Sequence, residues 1–302
     1  MFKTWHWEIT QKCNLKCNHC LLSVQEGNQP EKEKQQYFKI ISKIKQLGGQ
    51  NIFFTGGEPF MVTDFLEIAE YAKSLGMNLS VITNGTLFDK ISVEKCPKLF
   101  DAVGVSIDGL EIEHDLIRGK GLFKQTTQFI TNLLQKGTRV VAYIVVNGIN
   151  TDSQKQLLEE LIELGVKSFH YNQINILGNA VFNKELHLKC LQSYLKKHLL
   201  DQIGSIVDIN PNANWEKQCA IDPDVAYLSH QGQIFSCVEV KTQNPAGYIS
   251  TIEDDLIREK WQSYFLTTKK PKACMYEVFN DSGIAIQLNC GECLLTWKAV
   301  RL

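Results

Sequence analysis

Cys13, Cys17 and Cys20 fall in the run Cys-Asn-Leu-Lys-Cys-Asn-His-Cys, a C-x3-C-x2-C cluster near the start of a 302-residue chain. Thiolates are soft ligands that suit zinc and iron–sulfur sites. Three of them on one tight loop can hold three irons of a 4Fe–4S cluster, leaving the fourth iron without a protein ligand. An iron with an open position binds and reduces a substrate molecule, whereas a fully ligated cluster transfers electrons or holds structure. Zinc competes for thiolates and is usually four-coordinate in structural sites. His19 lies inside the motif as a nominal fourth ligand. Its neighbour Cys20 makes joint ligation of one metal awkward, and the spacing is not a usual zinc pattern. Iron–sulfur is the expected occupant.

The bulk properties narrow the class. The chain carries ten cysteines and opens Met-Phe-Lys-Thr-Trp-His-Trp, without a basic n-region followed by an apolar h-region. With no secretory signal, a cytoplasmic location is expected, and metal binding or catalysis rather than cross-linking. Lys and Arg number 32 against 33 Asp and Glu. That balance argues against a large nucleic-acid footprint, which needs a basic excess or stripe. No uninterrupted apolar stretch approaches a membrane span. Neither nucleic acid nor membrane is an expected partner.

Elements must hold the cysteine loop in place. Short apolar runs read as strands at Thr4–Ile9, Asn51–Thr55, Leu79–Thr83, Ala102–Ile107, Val140–Asn147 and Ser168–Ile174. Several are rich in Val, Ile and Phe on both parities, as expected of parallel strands buried on both faces. Helical patterns lie between them at Glu31–Leu47, Asp64–Leu75, Lys90–Cys96, Phe123–Gln135 and Asp152–Leu164, with Leu188–Gln202 after the last strand. Alternating βα units predict an α/β barrel or open parallel sheet. Active sites of such barrels gather at the carboxyl ends of the strands, which is where Cys13, Cys17 and Cys20 fall. Beyond about residue 205 the pattern breaks. Val225–Leu228 with Gln233–Ser236 reads as a hairpin around Ser-His-Gln-Gly. Two domains are expected: 1–205, and a smaller loop-rich unit, 206–302.

Several motifs recur in order along the first part. After the cysteine loop, strand two ends Gly56-Gly57-Glu58-Pro59 and strand three ends Thr83-Asn84-Gly85. Strand four ends Ser106-Ile107-Asp108-Gly109, followed by His114-Asp115-x2-Arg118-Gly119. Over roughly residues 1–175 the chain resembles the radical S-adenosylmethionine (SAM) enzymes. The resemblance implies a partial (β/α)6 barrel, a 4Fe–4S cluster on Cys13, Cys17 and Cys20, and SAM chelating the open iron. One electron then cleaves SAM to methionine and a 5′-deoxyadenosyl radical, which abstracts hydrogen from an unactivated C–H bond. It also implies ligand roles. Gly56 and Gly57 let backbone approach the methionine ammonium, and Glu58 adds charge or braces the loop. Asn84 and Ser106 suit ribose or carboxylate, Arg118 suits the methionine carboxylate, and His19 lies beside the adenine. A flavodoxin- or ferredoxin-type protein would supply the electron.

A second cysteine set follows the barrel. Cys219-x12-Gly232-x4-Cys237 and Cys290-x2-Cys293 look like the SPASM and twitch extensions of this superfamily, which hold auxiliary clusters. Four thiolates are enough for one fully ligated second 4Fe–4S cluster; the same four could hold zinc. With only Cys274 to spare, the extension looks like the shorter, α+β twitch form. Cys274 is open between a ligand, a thiol returning hydrogen to a substrate radical, and a bystander. Cys96 and Cys190 sit in helical patterns and read as buried structural thiols.

The resemblance to compact peptide epimerases and aminoglycoside dehydrogenases or epimerases gives the substrate expectation. The first choice is a peptide, with epimerisation as the candidate reaction, and a small natural product such as an aminoglycoside is the alternative. A non-catalytic metal-binding protein is the competitor from another class. No separate leader-peptide-binding domain is expected before Cys13. A peptide would be gripped by the barrel mouth, the twitch unit or a partner protein.

Overall fold

The computed structural model describes residues 2–22, 31–87, 93–174, 178–186, 224–235, 247–249, 275–279 and 285–289. Six strands carry the frame: β1 (Thr4–Thr10), β2 (Asn51–Gly56), β3 (Asn78–Thr83), β4 (Ala102–Ser106), β5 (Val140–Val146) and β6 (Ser168–Gln173). They pair in parallel in chain order, with registers such as Thr4 to Asn51 and Asn51 to Asn78. The helices are α1 (Lys34–Gln46), α2 (Phe65–Ser74), α3 (Cys96–Leu99), α4 (Glu111–Arg118), α5 (Leu122–Gln135) and α6 (Gln154–Glu163).

Burial alternates along the strands. Trp5, Trp7, Ile52, Phe54, Val81 and Ile144 are buried on one face, in a core shared with Ile41, Ile68, Phe129 and Leu157 of the helices. On the other face, His6, Phe53, Ser80, Tyr143 and His170 are only half-buried. Burial on both faces was the sequence expectation; helices cover one face, and the other faces the barrel lumen, where these residues are only partly buried. Aromatic stacking orders that lumen: His6 on Phe53 at 4.9 Å and Tyr143 on His170 at 4.6 Å. Burial and the neighbouring His170 push His6 down to about 4, so it is a neutral imidazole at pH 7.

α3 begins where a helix over Lys90–Cys96 was expected to end; residues 88–92 lie outside the described residues. Pro97 explains the shift, because its fixed φ and missing N–H suit a first helical turn. Cys96 is fully buried in the core, and burial pushes its thiol up to about 12.

The expected hairpin is present: β7 (Val225–Leu228) pairs antiparallel with β8 (Gln233–Phe235), and β9 (Gly247–Tyr248) follows on β8. β7 also pairs in parallel with β1. At the far side, β10 (Met275–Phe279) pairs with β11 (Ala285–Asn289), and β11 lies parallel to β6. Strands from the segment 206–302 thus extend the barrel sheet at both edges, giving eleven strands in one sheet among the described residues. Leu188–Gln202, Cys190, Cys219, Cys237, Cys274, Cys290 and Cys293 lie outside the described residues. No described helix is long and apolar enough to cross a membrane.

Candidate active site at the cluster loop

The loop after β1 is held by backbone on three sides. Gly57 N donates to Thr10 O and Glu58 N to Lys12 O, both at 2.8 Å. Asn18 N donates to Ile117 O of α4 at 2.9 Å, and its side chain to Leu116 O at 2.8 Å. Asn179 donates to Cys20 O through its backbone and to Cys17 O through its side chain, each at 3.0 Å. A Cβ on Gly56 would sit 2.2 Å from Thr10 O, and one on Gly57 2.2 Å from Lys12 O. Both glycines are therefore required for the end of β2 to seat the loop, whatever else they contact.

Glu58 is fully buried. Its carboxylate accepts from Thr83 Oγ1 at 2.8 Å, Asn84 N at 2.7 Å and Phe60 N at 3.2 Å. It braces the ends of β2 and β3 against each other. Asn84 in turn donates through Nδ2 to Asn14 Oδ1 at 2.9 Å and lies 3.8 Å from Cys13 Sγ. Leu15 N points at the same sulfur from 3.4 Å.

Burial pushes Glu58 up to about 7 despite its donors. A folded carboxyl that keeps its proton to higher pH than the unfolded 4.5 stabilises the fold at low pH. Its contribution is full below about 4.5 and is lost as pH rises to about 7. Glu58→Gln should flatten that part of the stability profile. It should also cost about 1–3 kcal/mol, because the new amide NH2 faces a backbone donor. Urea melts across that pH range check both; an unchanged profile rejects the assignment.

On the other side of the loop, a buried charge network forms at Asp108. Arg118 Nε donates to Asp108 Oδ2 at 2.6 Å, and His19 Nε2 lies 3.1 Å from the same oxygen. Val145 N donates to Oδ1 at 2.8 Å. Burial favours the neutral acid, but Arg118 and then His19 hold Asp108 well below the ordinary carboxylate range. His114 Nδ1 accepts from Asp108 N at 3.3 Å; burial, then Arg118, push it down to about 4. His19 Nδ1 is buried and has no hydrogen-bond partner among the described residues.

The three thiols fit a cluster. Burial pushes Cys17 up to about 11 and raises Cys13, with the neighbouring thiols adding to both shifts. Coordination to iron reverses that cost, since a coordinating thiol is deprotonated outright. Among the described residues no three His, Cys, Asp or Glu side chains converge on a single metal ion. A cubane cluster asks for something else, one thiolate on each of three irons.

The model of the radical SAM superfamily matches residues 7–173, more than half of the chain. The chain belongs to the radical SAM superfamily. The family implies a 4Fe–4S cluster and SAM as cofactors. Among curated relatives, the antilisterial bacteriocin subtilosin biosynthesis protein AlbA of Bacillus subtilis is 28% identical over 96% of this chain and 66% of its own length. Fe-coproporphyrin III synthase of Methanosarcina barkeri is 30% identical over 61% of this chain and 47% of its own. The chain thus spans between about half and two thirds of these relatives. Streptococcus suis SuiB bound to S-adenosylmethionine shares the fold, with a TM-score of 0.70, 15% identity, and 85% of this chain and 65% of that one covered.

Of the radical SAM residues expected from sequence, direct contacts join His19, Gly56, Gly57, Glu58, Asn84 and Arg118 to the cysteine loop or to one another. Ser106 stands at the end of β4, two residues before Asp108. Sequence reasoning quoted Asp108 without a role and passed over Asn18 and Asn179. An Asp just past a barrel strand was a usable signal; the two asparagines carried none.

Proposed function

We propose that this protein is a radical SAM maturase that abstracts hydrogen from a C–H bond of a peptide, with the target residue held in the lumen. The observation that carries the reading is the thiol loop at the carboxyl ends of the strands, above the barrel lumen. The match to AlbA along 96% of the chain supports a bacteriocin-type product. SuiB, which has this fold, has been solved with its precursor peptide SuiA. A small-molecule substrate is the second reading, supported by the identity of the barrel to Fe-coproporphyrin III synthase.

When bound, the cluster and SAM supply a carbon-centred radical able to take hydrogen from an unactivated carbon. Cys13, Cys17 and Cys20 hold the cluster. The strand ends carrying Gly56, Gly57, Asn84 and Ser106 would receive the polar groups of SAM, and the buried His19 Nδ1 would face its nucleoside. Arg118, already tied to Asp108, sets positive charge beside the methionine carboxylate. Half-buried His6, Tyr143 and His170 orient the target and keep bulk water from it. Residues 206–302 form the twitch-like unit, with Cys219, Cys237, Cys290 and Cys293 on a second 4Fe–4S cluster. Cys274 is its spare thiol.

Anaerobic reconstitution tests this. About eight irons per chain and 5′-deoxyadenosine on adding SAM and dithionite are expected. Bound zinc with no deoxyadenosine would leave a non-catalytic metal protein. If the outcome is epimerisation, Cys274→Ala keeps deoxyadenosine formation and loses solvent deuterium from the peptide product. Loss of the second cluster in that variant would instead make Cys274 a ligand.

A further inference from the structure

A second set of polar side chains stands beside the cluster loop and has no part in the chemistry above. Glu8 is fully buried near the end of β1, where a Cβ on Gly56 would meet its Cγ at 3.3 Å. Three side chains converge on its carboxylate. Tyr227 OH of β7 donates to Oε2 at 2.5 Å, and Gln11 Nε2 donates to Oε1 at 3.1 Å. His230 Nδ1 lies 3.1 Å from the same Oε1. Tyr227 is matched to His6 in the register of β1 with β7, and Glu8 is two residues beyond His6. Side chains two apart on a strand share a face, so Glu8 and Tyr227 stand on the lumen face with His6.

β7 runs parallel to β1, so the turn that carries His230 lies at the same end of the sheet as Cys13, Cys17 and Cys20. Lys32 donates to the His230 backbone carbonyl and fixes that turn. The His230 side chain is 13% exposed. Its Nε2 is buried and has no hydrogen-bond partner among the described residues. A buried polar atom left unpaired costs free energy. Tying down the turn explains the contact at Nδ1 and leaves Nε2 unexplained.

We propose that His230 is a catalytic base for the substrate, with Glu8 as its positioning residue. The proposal rests on the peptide reading above. Glu8 accepts a hydrogen bond from Nδ1, which leaves the Nε2 lone pair as the acceptor, and it steadies the imidazolium that forms. Loss of a hydrogen atom to the deoxyadenosyl radical leaves a carbon radical next to an N–H, O–H or S–H group of the peptide. The proton of that group passes to Nε2 and one electron passes to the second 4Fe–4S cluster, so the carbon–heteroatom single bond becomes double. The peptide is oxidised by two electrons in all, and the second cluster is reduced by one. Returning hydrogen to the radical would release no proton, so a base at this place goes with net oxidation.

The tautomer is the first test, on the reconstituted protein labelled with heavy-nitrogen histidine and with its clusters oxidised. In long-range proton–nitrogen spectra at neutral pH, His230, assigned by its absence in His230→Gln, should carry a proton on Nδ1 and none on Nε2. In Glu8→Gln that preference should be lost. A proton on Nε2 in the wild type overturns the base. Turnover is read with a pool of capped tripeptides, N-acetyl-Gly-Xaa-Gly-amide with each common residue at Xaa, as oxidised peptide per deoxyadenosine formed. His230→Gln should lower that ratio about a hundredfold. His230→Gly should lower it as far and regain it in part with free imidazole, which a structural part for the ring would not allow. Lys32→Met loosens the turn, keeps the ring and should match wild type. Equal ratios in wild type and His230→Gln overturn the proposal, as does a fall in Lys32→Met as large as that in His230→Gln. The peptide reading fails separately, if reconstituted wild type oxidises a small molecule and no peptide; the tautomer then remains the test of the base.

Discussion

Asp108→Ala should destabilise the fold by about 3–5 kcal/mol, because it strands a charged Arg118 inside the protein. Asp108 is fully buried and the Arg118 side chain is 10% exposed, so water does not replace the lost partner. The variant also frees His19 and Val145 N, so the loop, α4 and β5 lose their common anchor. Urea melts should show the loss, and SAM affinity should fall with it. Arg118→Met combined with Asp108→Leu should recover most of the stability but not SAM binding, since a buried pair can often be exchanged for apolar groups. A loss under about 1 kcal/mol for Asp108→Ala would mean the pair is solvated. The acid limb gives a second check. Asp108 is depressed in the folded state, so its contribution is full above the ordinary 3.8 and is lost as pH falls below it. His6 and His114, lowered from 6.5 to about 4, lose their contribution earlier, as pH falls between those values. Asp108→Ala should remove the lower step and leave the His6 part of the upper one.

Gly57→Ala should empty the cluster loop while sparing the rest. Its Cβ would fall 2.2 Å from Lys12 O and 2.6 Å from Lys12 C, both backbone, so the loop must move. The hydrogen bond from Glu58 N to Lys12 O, which sets the loop against β2, goes with it. Since three thiolates must reach three irons at once, a small shift of the loop is costly. The expected result is about four irons fewer per chain and deoxyadenosine formation below about a hundredth of wild type, roughly 3 kcal/mol in the barrier. Gly48→Ala is the control. Gly48 has a φ of +85° with nothing within 4 Å, so the substitution carries backbone strain of about 1 kcal/mol and leaves iron loading alone. Full iron loading in Gly57→Ala would show that the loop is held elsewhere.

All six barrel strands were legible because each is a short stretch with β-branched, aromatic or other apolar residues between helical patterns or turn residues. α4 was not. It turns Ile112 and Leu116 outward, 74% and 59% exposed, and buries His114 beside Ile117. A helix that points its apolar residues at solvent and a histidine at the core inverts the periodicity by which helices are recognised. The cysteine loop was read from spacing alone, because ligand spacing is local. The contacts that hold it were not. Asn18 and Asn179 are 161 positions apart, and nothing in the type of either residue announces its partner. The two glycines were read as room for a ligand; their tightest contacts are with the loop itself, which only the three-dimensional approach of β2 to residues 10–12 reveals.

The pairing of β7 with β1 has a consequence for how the protein is made. Thr4 is matched to Val225, so the strand that launches the cluster loop waits for a neighbour more than two hundred residues later. At translation speeds of about 5–20 residues per second, that delay is roughly 10–40 s. During it, the first strand of the sheet presents an unpaired hydrogen-bonding edge beside three thiols. Such long-range closure raises contact order and slows folding. The nascent chain is thus exposed to strand-to-strand aggregation and thiol oxidation over the same interval. Iron delivered before the ribosome reaches Val225 would meet a loop whose supporting edge has not yet been synthesised.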